Sequence, residues 1–210
     1  MKQSSVWLRR AAGIGLALLL VAPLPSMAAS SDEGPPLPIK FGGPFTLTDH
    51  QGERRTDEDF RGRYLLIYFG YTYCPDICPT NLSTMSQALD ELGDKAEGVQ
   101  PLFVSIDPAR DTAEVLADYV GHFHPRMVGL TGTEAEIRQV AKAYRVHRSK
   151  VVFDKDAPTD DYLVNHSSIT FLMGPDGGFL SLFPHDTKAE VMTRALEGYL
   201  GRRDTSMKSE

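Results

Sequence analysis

The sequence predicts an α/β fold, a central mixed sheet flanked by helices on both faces. Three observations carry this prediction. Two nearly continuous apolar runs, Tyr64–Tyr71 and Pro101–Asp107, have the character of strands covered on both faces. Helical periodicity separates them, with Leu82, Met85, Leu89 and Leu92 on one face. Gly174-Pro175-Asp176-Gly177-Gly178 is a strong hairpin-turn signal near the end of the chain. Strands alternating with helices, then a hairpin and a last helix, give a mixed sheet.

Taken in order, Phe45–Asp49 alternates like a strand and His50-Gln51-Gly52 is a turn, so the chain opens with an N-terminal hairpin. The central strand Tyr64–Tyr71 follows, and then a helix with Pro79 in its first turn. After the second buried strand, Asp111 and Glu114 suggest a capping box for a helix through Phe123. Met127–Gly132 is a third strand. Thr133 and Glu136 cap a helix with Ile137, Val140, Ala141 and Tyr144 on one side. Lys150–Phe153 is strand-like, and an acidic loop runs from Asp154 to Asp161. Tyr162–Met173 is strand material broken near His166, and Phe179–Pro184 returns from the turn. The last helix spans about Thr187–Leu200, with Val191, Leu196 and Leu200 among its apolar positions. This β-α-β-α-β-β-α core, with paired cysteines after its first strand, resembles the thioredoxin fold.

Residues 1–28 are expected to be an export signal. Lys2, Arg9 and Arg10 precede the apolar stretch Ala11–Ala22, and Ser26-Met27-Ala28 offers small residues for cleavage. The apolar stretch is short of the ~20 residues that span a bilayer. An uncleaved N-terminal anchor is the competing reading. Residues 29–42, rich in proline and polar residues, are expected to be a flexible tether. Residues 43–201 are expected to form one domain, and 202–210 a disordered tail. Losing the signal removes three positive charges and no negative ones, taking the formal charge from −6 to −9. Such an acidic chain lacks the electrostatic footprint of a nucleic-acid binder.

Chemistry concentrates at Cys74-Pro75-Asp76-Ile77-Cys78, which holds the only two cysteines of the chain. They lie where a strand feeds a helix N-terminus, a position that stabilises thiolates. A disulfide over so short a loop removes little denatured-state entropy, so the pair reads as reactive rather than as a staple. At this spacing both sulfurs face one side of the helix. His166 heads the strand that opens the C-terminal hairpin. In a thioredoxin-like sheet that loop packs beside the cysteines, and no proline occupies it here. Two thiolates and an imidazole suit a soft metal. A closed zinc site wants a fourth ligand, whereas trigonal coordination suits Cu(I). Asp76 reads as a helix-start residue. Tyr71 and Tyr73 read equally as strand-end packing or as part of a docking face. His50, His122, His124, His147 and His185 read as structural or surface residues.

Cys74–Leu82 (CPDICPTNL), Ser105–Thr112 (SIDPARDT) and Val164–Gly177 (VNHSSITFLMGPDG), in this order, resemble the SCO/SenC proteins. The likeness runs from about Phe45 to Leu200. It implies a thioredoxin-like copper chaperone acting in assembly of the CuA centre of cytochrome c oxidase. The ligands it implies are Cys74, Cys78 and His166, taking Cu(I) and in some states Cu(II). Partners implied are the oxidase subunit that bears the copper and an upstream copper donor or thiol reductant, in the periplasm. Membrane association is implied only through an uncleaved anchor. The same pair would equally serve a thiol-disulfide oxidoreductase that reduces the recipient's cysteines, Cys74 and Cys78 then being the catalytic pair. One departure is Asn165, where the family often has aspartate, which touches the surroundings of the imidazole and removes no ligand.

Overall fold

A computed structural model of the chain describes residues 40–152 and 161–207, with side chains through Arg202. The signal, most of the tether and all but the last residue of the acidic loop lie outside the described residues. The N-terminal hairpin is β1 (Thr46–Asp49) with β2 (Arg54–Thr56). It is followed by β3 (Tyr64–Gly70) and α1 (Ile77–Leu92). Next come β4 (Val99–Ser105), α2 (Ala113–Gly121), β5 (Val128–Thr131) and α3 (Glu134–Ala143). The chain continues through β6 (Arg148–Val151), β7 (Leu163–His166), β8 (Ile169–Met173), β9 (Phe179–Pro184) and α4 (Ala189–Met207).

Seven strands form one sheet in the order β2-β1-β5-β4-β3-β8-β9. β3, β4 and β5 run parallel, and β8 and β9 are antiparallel additions beside β3. The central position of β3 explains its unbroken apolar sequence, since all seven of its residues are buried. Successive side chains of a strand point to opposite faces. Tyr68 therefore faces α1, while Phe69 packs on Tyr144 at the end of α3 and on Phe171, ring centroids 5.2 and 5.9 Å away. α4 packs beside α1. β6 and β7 form a separate antiparallel pair, with Arg148 opposite His166.

The structure corrects several boundaries. α1 begins at Ile77, so Cys78 is already helical and Pro79 is its third residue. β4 and β6 each start two residues before the predicted strands. The cap of α2 is Thr112, whose hydroxyl accepts from the Val115 amide. Asp111 is instead fully buried, because its carboxylate is drawn inward by Ser105 Oγ (2.6 Å) and Thr72 Oγ1 (2.7 Å). Thr133 and Glu136 do form the capping box of α3. In α4 the buried apolar residues are Ala189, Met192 and Leu196, while Val191 is exposed. α4 also continues to Met207, into the segment expected to be a disordered tail.

Candidate metal centre

Each element that meets at the cysteines does so for a local reason. Asp76, the N-cap of α1, makes no side-chain capping bond. The first-turn amides of a helix need acceptors from outside it, and the Cys78 amide finds one in Cys74 Sγ at 3.3 Å. The turn that brings Cys74 there is closed by its own amide on the Tyr71 carbonyl, at 3.2 Å. Gly70 lets α1 approach this closely. A Cβ at that position would lie 2.9 Å from Cys78 Sγ and 2.9 Å from Phe103.

His166 arrives at the end of β7. Its Nδ1 faces the Ser167 carbonyl at 3.1 Å. A carbonyl only accepts, so Nδ1 carries a proton, and Nε2 is the nitrogen that faces Cys78 Sγ, 3.5 Å away. Tyr68 and Tyr71 hold the ring edge-on, with centroids 6.1 and 5.9 Å distant. One donor atom from each of Cys74, Cys78 and His166 lies within 4.8 Å of the other two. Among the described residues this is the only such group of three metal-ligating side chains.

The two thiols are free and unlike each other. Hydrogen bonds from the Cys78 thiol, and then from His166 and the Cys78 and Asp76 amides, hold the Cys74 thiol well below its ordinary value despite its burial. Cys78 moves the opposite way, raised by its hydrogen bond to Cys74 and by full burial. A pocket of about 320 Å³ opens beside Cys74 and His166, walled by Tyr71, Pro75, Ile77 and Leu163.

The structure thus brings together Cys74, Cys78 and His166. Asp76 is exposed at the helix start and outside the group. The remaining histidines have other duties. His50 Nδ1 accepts from the Gly129 amide, His124 Nδ1 from the Arg126 amide, and His185 pairs with Asn81 at 2.8 Å. Tyr71 is buried against His166, and Tyr73 is exposed beneath Arg110. Asn165 is exposed, opposite Ser149 in the β6–β7 pair.

Sequence reasoning missed two supports. Tyr68 places its hydroxyl 3.8 Å from Cys78 Sγ, on a residue that reads only as strand core. The second is a brace between the segment after β4 and the start of β7. Arg110 joins Asp107 (2.5 Å) and the Tyr162 carbonyl (3.0 Å) and stacks on the Tyr162 ring at 3.7 Å. The Tyr162 hydroxyl closes the ring on Asp107 at 2.7 Å. The available signal was three ionisable residues, Asp107, Arg110 and Asp111, directly after a buried strand.

The fold and site define a thioredoxin-like protein with a paired-cysteine and histidine centre. Residues 34–201 match the SCO1/SenC family model, and the chain belongs to that family. The human mitochondrial protein SCO1 homolog is 53% identical over 145 residues, covering 68% of this chain and 47% of that protein. Among solved structures, copper-bound ScoI of Bradyrhizobium japonicum is 42% identical with a TM-score of 0.69, covering 76% of this chain and 99% of that one. Copper-bound yeast Sco1 is 37% identical with a TM-score of 0.71, covering 78% and 90%. The chain spans about half the length of the curated human relative.

Proposed function

We propose that this chain is an exported, periplasmic copper carrier that delivers the ion to the CuA site of cytochrome c oxidase during its assembly. The observation that carries this is the convergence of Cys74, Cys78 and His166 within 4.8 Å. Copper-bound relatives of the same fold support the choice of metal, and the basic-then-apolar leader supports export. Two sulfurs and a neutral imidazole favour Cu(I), and the imidazole also suits Cu(II). The pocket beside Cys74 leaves a side from which a recipient's ligands can approach. The recipient is the copper-bearing oxidase subunit. The reduced thiols are maintained by a thiol reductant, or the metal is received from an upstream donor. Among the described residues no helix is long and apolar enough to cross a membrane.

Copper titration of the reduced protein tests this. Cys74→Ser, Cys78→Ser and His166→Ala are each expected to weaken binding. A His166→Ala chain that binds as tightly as the unmodified one sinks the three-ligand site. The unlike thiols favour one second reading, a thiol-disulfide oxidoreductase in which Cys74 attacks and Cys78 resolves. That activity, assayed without metal, would largely survive His166→Ala, losing only the part of the Cys74 activation that His166 supplies, whereas copper delivery would not survive.

A further inference from the structure

Exposed apolar side chains that cluster into one patch mark surfaces that something else covers, whereas singly scattered ones do not. Of the seven such residues among those described, four lie in or next to the walls of the pocket beside the metal centre. Ile77 and Leu163 line it, Tyr73 precedes Cys74, and Val152 follows the lining residue Val151. Tyr73 and Val152 are 63% and 56% exposed. A second and larger cavity, about 910 Å³, shares Val164 with this pocket. Its character differs. Ala141 and Val146 are buried in its wall, and Arg138, Lys142, Arg148 and Lys150 line it against one carboxylate, Glu134. Glu134 is already paired with Arg138 and Arg148, at 3.3 and 2.8 Å. On a chain of net charge −6 this is a local reversal of sign.

We infer that the two cavities form one docking surface for the protein that exchanges copper with this centre. An apolar side chain of the partner enters the pocket beside Cys74 and His166. An acidic stretch of the same segment lies in the cation-lined cavity across Val164. The identity of this partner as a copper exchanger rests on the function proposed above; the surface itself is read without metal. The division of labour follows from the physics. Opposite charge speeds and orients encounter. The apolar contact supplies a packed centre from which water is excluded.

The test uses the reduced, metal-free full chain, observed by amide NMR. The probe is a synthetic peptide with a Leu-Phe pair beside a run of glutamates. Saturable shifts are expected at Ile77 and Leu163 in one cavity and at Lys142 and Lys150 in the other. The Arg138→Glu/Lys142→Glu chain, its amide dispersion intact, is expected to bind roughly tenfold or more weakly. The same peptide with lysines for glutamates is expected to leave the spectrum unchanged. Shifts confined to one cavity, an affinity indifferent to the charge reversal, or no binding at all would each overturn the surface. The reversed chain is expected to take up copper like the unmodified one, since neither residue is a ligand. Loss of docking with copper uptake intact therefore separates this surface from the metal site. A failure of the His166→Ala titration removes the copper reading and leaves the peptide result standing.

Discussion

At the scale of single residues, the centre works by giving two identical thiols different surroundings. Cys74 accepts the Cys78 amide and hydrogen bonds from Cys78 and His166, whereas Cys78 is fully enclosed. The sign of the consequence is definite. A lowered thiol is a thiolate, hence a nucleophile, at pH values where an ordinary cysteine is protonated. Iodoacetamide labelling of the reduced, metal-free chain, followed by peptide mapping, is expected to find Cys74 modified first. Its rate should persist well below neutral pH and vanish only as pH falls through its lowered value. Prior labelling of Cys78 would contradict this assignment. A similar logic sets the proton on His166. The Ser167 carbonyl claims Nδ1–H, so Nε2 is the atom turned to the sulfurs.

At the scale of elements, the start of α1 depends on a missing side chain. Gly70 ends β3 beneath the helix, and an added Cβ would meet Cys78, Phe103 and Tyr68 at 2.9 to 3.0 Å. Gly70→Ala overpacks this contact and is expected to cost about 1–3 kcal/mol, read as a lowered denaturation midpoint. Copper affinity should fall with it, because α1 carries Cys78. An unchanged midpoint would show that the helix can shift freely. The start of α3 offers a pH test. The Arg54 side chain, and then the Thr133 amide and hydroxyl, lower the Glu136 carboxyl to about 2 from an ordinary 4.5. A folded-state value below the unfolded one stabilises above the unfolded value, and the benefit is lost as pH falls through the folded value. Glu136→Gln should therefore be less stable at neutral pH by at most ~1 kcal/mol after solvent screening. The difference should close between pH 4.5 and about 2, and urea melts across that range check it. A constant difference would assign the effect to packing.

At the scale of the whole molecule, the site exists because the sheet joins segments far apart in the chain. Cys78 and His166 are 88 residues apart in the chain, and Cys78 Sγ lies 3.5 Å from His166 Nε2. The adjacency of β3 and β8 brings the ends of these segments together, and the Asp107–Arg110–Tyr162 brace fixes the start of β7. A ligand that binds only this assembled state must stabilise it by mass action. If the centre holds copper, the ion at a hundredfold excess over its Kd is expected to add about 2.7 kcal/mol. Thermal melts of the reduced chain should rise with copper and fall back on chelation. His166→Ala should lose most of the rise, and an equal rise in that variant would place the metal elsewhere.

Much of this protein was legible in one dimension, and for stated reasons. A strand buried on both faces must be apolar throughout, so Tyr64–Gly70 announces a central strand. Thr133 and Glu136 announce a helix start because the capping box is local chemistry. The cysteine spacing shows that both thiols share a face, and the position of His166 ahead of the C-terminal hairpin selects it from six histidines. Asp111 was read as a cap because spacing alone cannot show that Ser105 and Thr72 draw its carboxylate inward. The same limit hid Tyr68, since a hydroxyl at the end of a core residue has no period. The sequence alone therefore determined the fold class and the identity of the three candidate ligands, through patterns set by residues close in the chain. The tertiary structure decided what those ligands experience. Which thiol is lowered, which imidazole nitrogen faces the sulfurs and which cavities flank the centre all depend on groups that meet only after the sheet has formed.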